Sequence, residues 1–126
     1  MNMQQELIQR FISIVGEQYA LTAQDELTHY THENRGLFVG STPLVLKPAT
    51  TQEVSDIMRL ASETKTSVVP QGGHTGHVGG AVSDQSGSQI VVCLERMNRF
   101  RELDLDSNVL VCEAGCVLQN LSLIHI

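Results

Sequence analysis

The chain has 126 residues, 41% of them hydrophobic, 17% charged and 4% aromatic, with no tryptophan and a formal net charge of −6. That length suits one small domain or part of a larger one, and the composition is that of a globular protein. The acidic balance argues against a nucleic-acid-binding face, which needs clustered Lys and Arg, and no apolar run approaches the roughly 20 residues that span a bilayer.

The first residues, MNMQQELIQRF, lack the basic start and long apolar stretch of a secretory signal. The expected location is therefore cytoplasmic, peripheral to the inner membrane at most. Leu7, Phe11 and Val15 recur at i, i+4 and i+8 with Ile8 and Ile12 beside them. This spacing predicts a helix over 5–15, ended by Gly16. Residues 17–42 carry a polar run of Asp25, His29, Tyr30, His32, Asn34, Arg35 and Gly36. They read as a short helix or loop, and residues 1–40 as an N-terminal helical extension.

Leu44-Val45-Leu46, between Pro43 and Pro48, reads as a short strand. Thr50-Thr51-Gln52-Glu53 is a capping box, with Thr50 as N-cap and Glu53 at the third helical position. Val54, Ile57, Met58 and Ala61 then follow at helical spacing, predicting a helix to about Lys65. Ser67–Val69 is the next strand. The order strand, helix, strand predicts a βαβ unit with parallel strands and a right-handed crossover.

The segment that follows is the most informative in the chain. Five glycines fall within nine residues, Gly72 to Gly80, in VVPQGGHTGHVGGAV. Glycine loses backbone entropy on ordering and adds nothing to a core, so such a cluster points to unusual backbone geometry or close approach to a ligand. Successive amides turned into one concavity bind anions. A flexible linker is the plainer alternative. Against it, Val68, Val69, Val78, Ala81 and Val82 bracket the loop. Neither GxxxxGK[ST] nor GxGxxG occurs, and no Lys or Arg lies between Lys65 and Arg96. A diphosphate bound here would rest on main-chain amides. The loop also stands where open α/β sheets bind ligands, beyond the carboxyl end of a strand.

Gln89–Leu94 reads as a buried strand, Phe100–Leu105 and Val109–Cys112 as two more around an Asp106-Ser107-Asn108 turn, and Glu113-Ala114-Gly115 as a tight turn before a helix that starts in Cys116–Leu121. Cys93, Cys112 and Cys116 are odd in number, which argues against a disulfide framework, and they read as small apolar side chains rather than metal ligands. Arg96, Arg99 and Arg101 stand among Glu95, Glu102 and Asp104 and read as a solvated face. Residues 121–126, LSLIHI, read as a non-native tail, the translation of a transposon-end sequencing adapter.

Taken together, PATTQEV (48–54), VPQGGHTG (69–76), Val78-Gly79-Gly80, LERMNR (94–99) and Glu113-Ala114-Gly115 resemble the FAD-binding, PCMH-type domain of the vanillyl-alcohol oxidase / p-cresol methylhydroxylase superfamily. The resemblance covers residues 30 to 120. Within the superfamily it is nearest to the D-2-hydroxyacid dehydrogenases: D-lactate dehydrogenase, the glycolate oxidase FAD subunit and D-2-hydroxyglutarate dehydrogenase. A cell-wall precursor reductase shares the fold, but the RMNR segment favours the hydroxyacid group.

The resemblance implies an α+β / α/β fold, with an N-terminal helix, the first βαβ subdomain and the start of a second sheet. It implies a partial FAD-binding domain over 41–120. FAD would be the cofactor, its pyrophosphate wrapped by Pro70, Gln71, Gly72, Gly73, His74, Thr75 and Gly76, with Gly79 and Gly80 supporting the next turn. Ala114 and Gly115 would bring backbone against the flavin or its ribityl chain. His74 stands where the hydroxyacid group commonly has asparagine, and reads as a hydrogen-bonding substitute. In the berberine-bridge-like branch the histidine of a similar triplet is covalently bound to flavin, which is the alternative. His77 reads as a plain loop residue. Arg35 and Gly36 resemble an Arg-Gly pair of the family, or are simply solvent-exposed. No catalytic residue and no metal ligand is expected in this chain. A small 2-hydroxyacid would be bound by parts outside it, and the electron acceptor is not identified. Two rival readings are a non-flavin phosphate- or nucleotide-binding module and a structural βαβ fragment.

Overall fold

In the computed structural model, residues 5–33, 35–76 and 78–124 are described. The first helix, α1 (Gln5–Val15), buries Ile8, Phe11, Ile12 and Val15, the stripe that the spacing predicts. Gly16 ends it with a φ of 90°, its amide donating to the Ile12 carbonyl at 2.8 Å.

The segment after α1 is more regular than its polar sequence suggests. A 3-10 turn (Glu17–Tyr19) leads into β1 (Ala20–Leu21) and then α2 (Gln24–Thr31), which buries Leu27, Tyr30 and Thr31. β1 pairs antiparallel with β2 (Val45–Leu46). Residues read as an extension therefore contribute two helices and an edge strand to the main core.

α3 (Thr51–Thr64) starts as its sequence dictates, with Thr50 Oγ1 accepting from the Glu53 amide at 3.1 Å. Glu53 reaches back to the Ala49 amide at 2.7 Å, one residue beyond the usual capping-box partner. Lys65 closes the helix in the left-handed region, φ 55°. β3 (Val68–Gln71) runs two residues past the expected end. Pro70 suggests a stop because it cannot donate to a ladder, but the strand order β1-β2-β4-β3 leaves β3 on an edge, where proline is tolerated.

β4 (Ile90–Cys93) lies between β2 and β3 and runs parallel to both. The β2-α3-β3 unit is thus present, but it straddles a strand that comes later in the chain. Leu44, Leu46, Ile90 and Val92 pack with α1 and α3 on one face. Val45, Val69, Val91 and Cys93 pack with Leu27 and Tyr30 of α2 on the other. Burial on both faces explains why these strands are continuous apolar runs rather than alternating ones.

β5 (Phe100–Asp104) and β6 (Val109–Cys112) form a separate antiparallel pair. Its turn is held by Asp104, which accepts from the Asp106 and Ser107 amides, and by Asn108 at φ 57°. α4 (Leu118–Ile124) begins within the segment where a helix is expected to start. Residues 121–124 of the segment read as a tail continue α4; the last two lie outside the described residues, as does His77. The fold is the mixed α/β arrangement expected, with a helix preceding a largely parallel sheet. Among the described residues no helix is long and apolar enough to cross a membrane.

Candidate functional site: the glycine loop and its cavity

The loop leaves the sheet at Gln71, and this side chain holds it in place. Gln71 is 2% exposed, and its Nε2 donates to the Tyr30 and Ala81 carbonyls, each at 3.0 Å. One amide therefore joins the last turn of α2 to the far limb of the loop. The Gln71 carbonyl accepts from the Leu94 amide at 2.8 Å, fixing the loop against the end of β4. His74 takes a left-handed backbone, φ 61°, and its Nε2 donates to the His32 carbonyl. Asparagine and histidine are among the non-glycine residues enriched in that region.

The glycines fall into two groups. At Gly79 (φ 89°) an added Cβ would press on the Phe38 ring at 3.3 Å, and at Gly115 it would lie 1.7 Å from the Leu94 carbonyl oxygen. Packing within the chain accounts for both. Gly73, Gly76 and Gly80 are different: none has a positive φ, and an added Cβ at any of them meets nothing within 4 Å. A Cβ on Gly72 would meet only the Ala114 carbonyl oxygen, at 3.9 Å. Neither backbone strain nor packing explains why these positions lack a side chain. The loop presents bare backbone to open space, as a cradle for a closely approaching ligand does.

Three cavities are lined in part by this backbone. The first, about 430 Å³, is lined by Gln71, Gly72, Gly73, His74 and Gly115 together with Tyr30, Glu95 and Phe100. A second, about 380 Å³, takes in Gly73, His74 and Thr75 with His32 and Glu33. A third, about 240 Å³, takes in His74, Gly76, Gly79 and Gly80, again with Glu33. Pro70 and Ala114 are exposed. Most of the residues singled out from the sequence are thus brought together around one loop.

Sequence reasoning missed the wall that faces them. Lys47 Nζ lies 2.6 Å from Glu95 Oε1, and the Tyr30 hydroxyl donates to the same oxygen at 3.4 Å. Burial opposes the Lys47 charge, but hydrogen bonds to Glu95 and Tyr30 outweigh it and raise its pKa. Burial pushes the Tyr30 phenol up. Glu33 is buried, with Oε1 accepting from the Leu37 amide at 2.5 Å and Oε2 3.5 Å from Arg35 Nε. Burial works against its charge, yet the Leu37 amide and Arg35 hold its carboxyl below the usual range. Glu95, just past the end of β4, was open to discovery by the strand-end rule; Tyr30 and Glu33 sit in a polar run with no motif.

The profile of the FAD binding domain family matches residues 42–124. This chain belongs to the FAD binding domain family. Its cofactor is FAD. It is 39% identical over 112 residues to the mitochondrial D-2-hydroxyglutarate dehydrogenase of Arabidopsis thaliana, covering 89% of this chain and 20% of that protein. Among solved structures it resembles an alkyldihydroxyacetonephosphate synthase, with a TM-score of 0.81 at 18% identity over 98% of this chain and 25% of that one. It also resembles p-cresol methylhydroxylase, with a TM-score of 0.77 at 20% identity over 95% of this chain and 24% of that one. These two likenesses show the fold. The chain spans about a fifth of the length of its dehydrogenase relative.

The residues present fit FAD. Bare backbone at Gly72, Gly73, Gly76 and Gly80 suits a diphosphate held by neutral donors, and the absence of a loop lysine is no obstacle to that. The Gln71 side chain braces the loop through its two Nε2 hydrogen bonds, and the residue also lines the first cavity. Among the described residues no group of three or more His, Cys, Asp or Glu side chains could hold a metal.

Proposed function

We propose that the protein carrying this chain oxidises a D-2-hydroxyacid to a 2-oxoacid, and that this chain contributes the binding of FAD. When bound, FAD supplies the redox chemistry by accepting the substrate's hydride. The amides of residues 72–76 and 79–80 hold the diphosphate, with Gln71 keeping both limbs of the loop in register. Pro70 sets the exit from the sheet, Thr75 adds a hydroxyl, and Ala114 and Gly115 carry backbone to the flavin or ribityl side. His74 binds without a covalent link, its ring nitrogen engaged by the His32 carbonyl. Substrate binding and proton abstraction fall to residues outside this chain, which alone turns over no substrate. The proposed location is cytoplasmic, peripheral to the inner membrane at most; the Arabidopsis relative carries "mitochondrial" in its name.

The observation that supports this most is the set of loop glycines whose missing side chains nothing in the chain explains. The test is flavin occupancy, read from the absorbance spectrum of protein loaded with FAD. Gly73→Val and Gly76→Val should each abolish bound flavin while changing folding stability by no more than about 0.5 kcal/mol, the range for a surface substitution. Flavin retained in both variants overturns the reading. Flavin that stays with acid-denatured polypeptide overturns the non-covalent role of His74.

A further inference from the structure

Glu95 stands two residues beyond β4, at the carboxyl end of the parallel strands, on the wall of the cavity that the glycine loop shares. Its carboxylate is used unevenly. Oε1 takes both the Lys47 ammonium and the Tyr30 hydroxyl. Oε2 takes no hydrogen bond among the described residues, and the side chain is 47% exposed.

The support behind Glu95 is extensive. Lys47 donates its backbone amide to Tyr19 at 2.9 Å, and its carbonyl accepts from Arg96 Nη1 at 2.7 Å. The Arg96 guanidinium lies 3.3 Å from the centroid of the Tyr19 ring. Lys47 also stands 5.3 Å from the centre of the Tyr30 ring. A surface ion pair with no task needs no such bracing, since exposed pairs contribute little to stability. Here one oxygen is pinned, the other takes no hydrogen bond among the described residues, and the residue lines the cavity.

An ionised carboxylate can only accept hydrogen bonds. Lys47 neutralises its charge at contact distance, so an anionic ligand nearby is not strongly repelled. In a flavin dinucleotide the groups that flank the diphosphate on either side are hydroxyl-bearing: the adenosine ribose and the ribityl chain. Dinucleotide folds of another class likewise set a carboxylate against ribose hydroxyls.

We propose that Glu95, braced by Lys47 and Tyr30, accepts a hydrogen bond from a sugar or polyol hydroxyl adjoining the cofactor's diphosphate. This rests on the FAD reading above. Glu95 is then a determinant of which dinucleotide part sits in this cavity, and Lys47 and Tyr30 are positioning residues.

The test is equilibrium binding to the full chain of FAD, by flavin fluorescence, and of ADP and FMN, by calorimetry. Glu95→Ala should weaken FAD about tenfold or more, as for a lost hydrogen bond to a charged group. The same loss should appear with ADP and not FMN if the hydroxyl is on ribose, and with FMN and not ADP if it is on the ribityl chain. Glu95→Gln keeps the shape and one acceptor; should the alanine variant fail to fold, it should lose several-fold with the same ligand preference. An unchanged FAD affinity overturns the inference and leaves the FAD reading standing. An equal change for ADP and FMN, in either direction, also overturns it, because that is the signature of altered structure or charge. A wild-type chain that binds no FAD overturns both.

Discussion

Glycines 73 and 115 line the same cavity for opposite reasons. At Gly115 the chain itself forbids a side chain, because a Cβ would fall 1.7 Å from the Leu94 carbonyl oxygen and within 2.8 Å of that of Met97. Gly115→Ala should therefore cost about 2 kcal/mol or more in urea unfolding, with flavin loss as a secondary effect. At Gly73 the order reverses, with flavin lost and stability kept. Sequence reasoning placed both residues at the cofactor, and a count of glycines could not separate them. What separates them is a neighbour far away in the chain, here the turn after β4. The same limit hid the work of Gln71. Its two acceptors, on Tyr30 and Ala81, lie 41 and 10 residues away, and no local pattern announces them.

Elements carried by local chemistry were legible. α1 has a clean apolar stripe, and α3 announces its first turn through Thr50 and Glu53. Thr50→Ala should destabilise the fold by about 1 kcal/mol, measured by urea unfolding, through loss of its bond to the Glu53 amide. Because α3 packs with α1 on one face of the sheet, flavin affinity should be unchanged in that variant. Elements decided by tertiary context were less legible. α2 has only Leu27, Tyr30 and Thr31 to bury, too few to stand out in a polar run. β3 passes through Pro70 because its outer edge is free, a fact of sheet order and not of sequence.

For the molecule as a whole, several carboxylates tie local structure to pH. The Arg99 amide and the Arg101 guanidinium hold Glu113 below the usual range. The Ser86 hydroxyl and amide do so for Asp84, and those of Ser107 for Asp104. Glu33 is lowered as well. In each case the folded-state pKa lies below the unfolded one. The stabilisation is complete above the unfolded values, about 4 to 4.5, and is lost as pH falls through the folded ones. Thermal melts should show a Tm that is level from about pH 7 to pH 5 and falls on further acidification. A Tm that climbs below pH 4 would contradict these assignments. Lys47 has the opposite sign: its raised pKa keeps its ammonium charged at every pH in that range.

The placing of β4 between β2 and β3 also governs when the cradle can exist. As the polypeptide leaves the ribosome, β2, α3 and β3 emerge in succession, yet β2 has only β1 beside it and β3 has no partner strand until residue 93 is out. The last strut of the loop, from the Leu94 amide to the Gln71 carbonyl, arrives later still. The cradle is therefore complete only once β4 has joined the sheet, and a cofactor bound there would meet strands already paired.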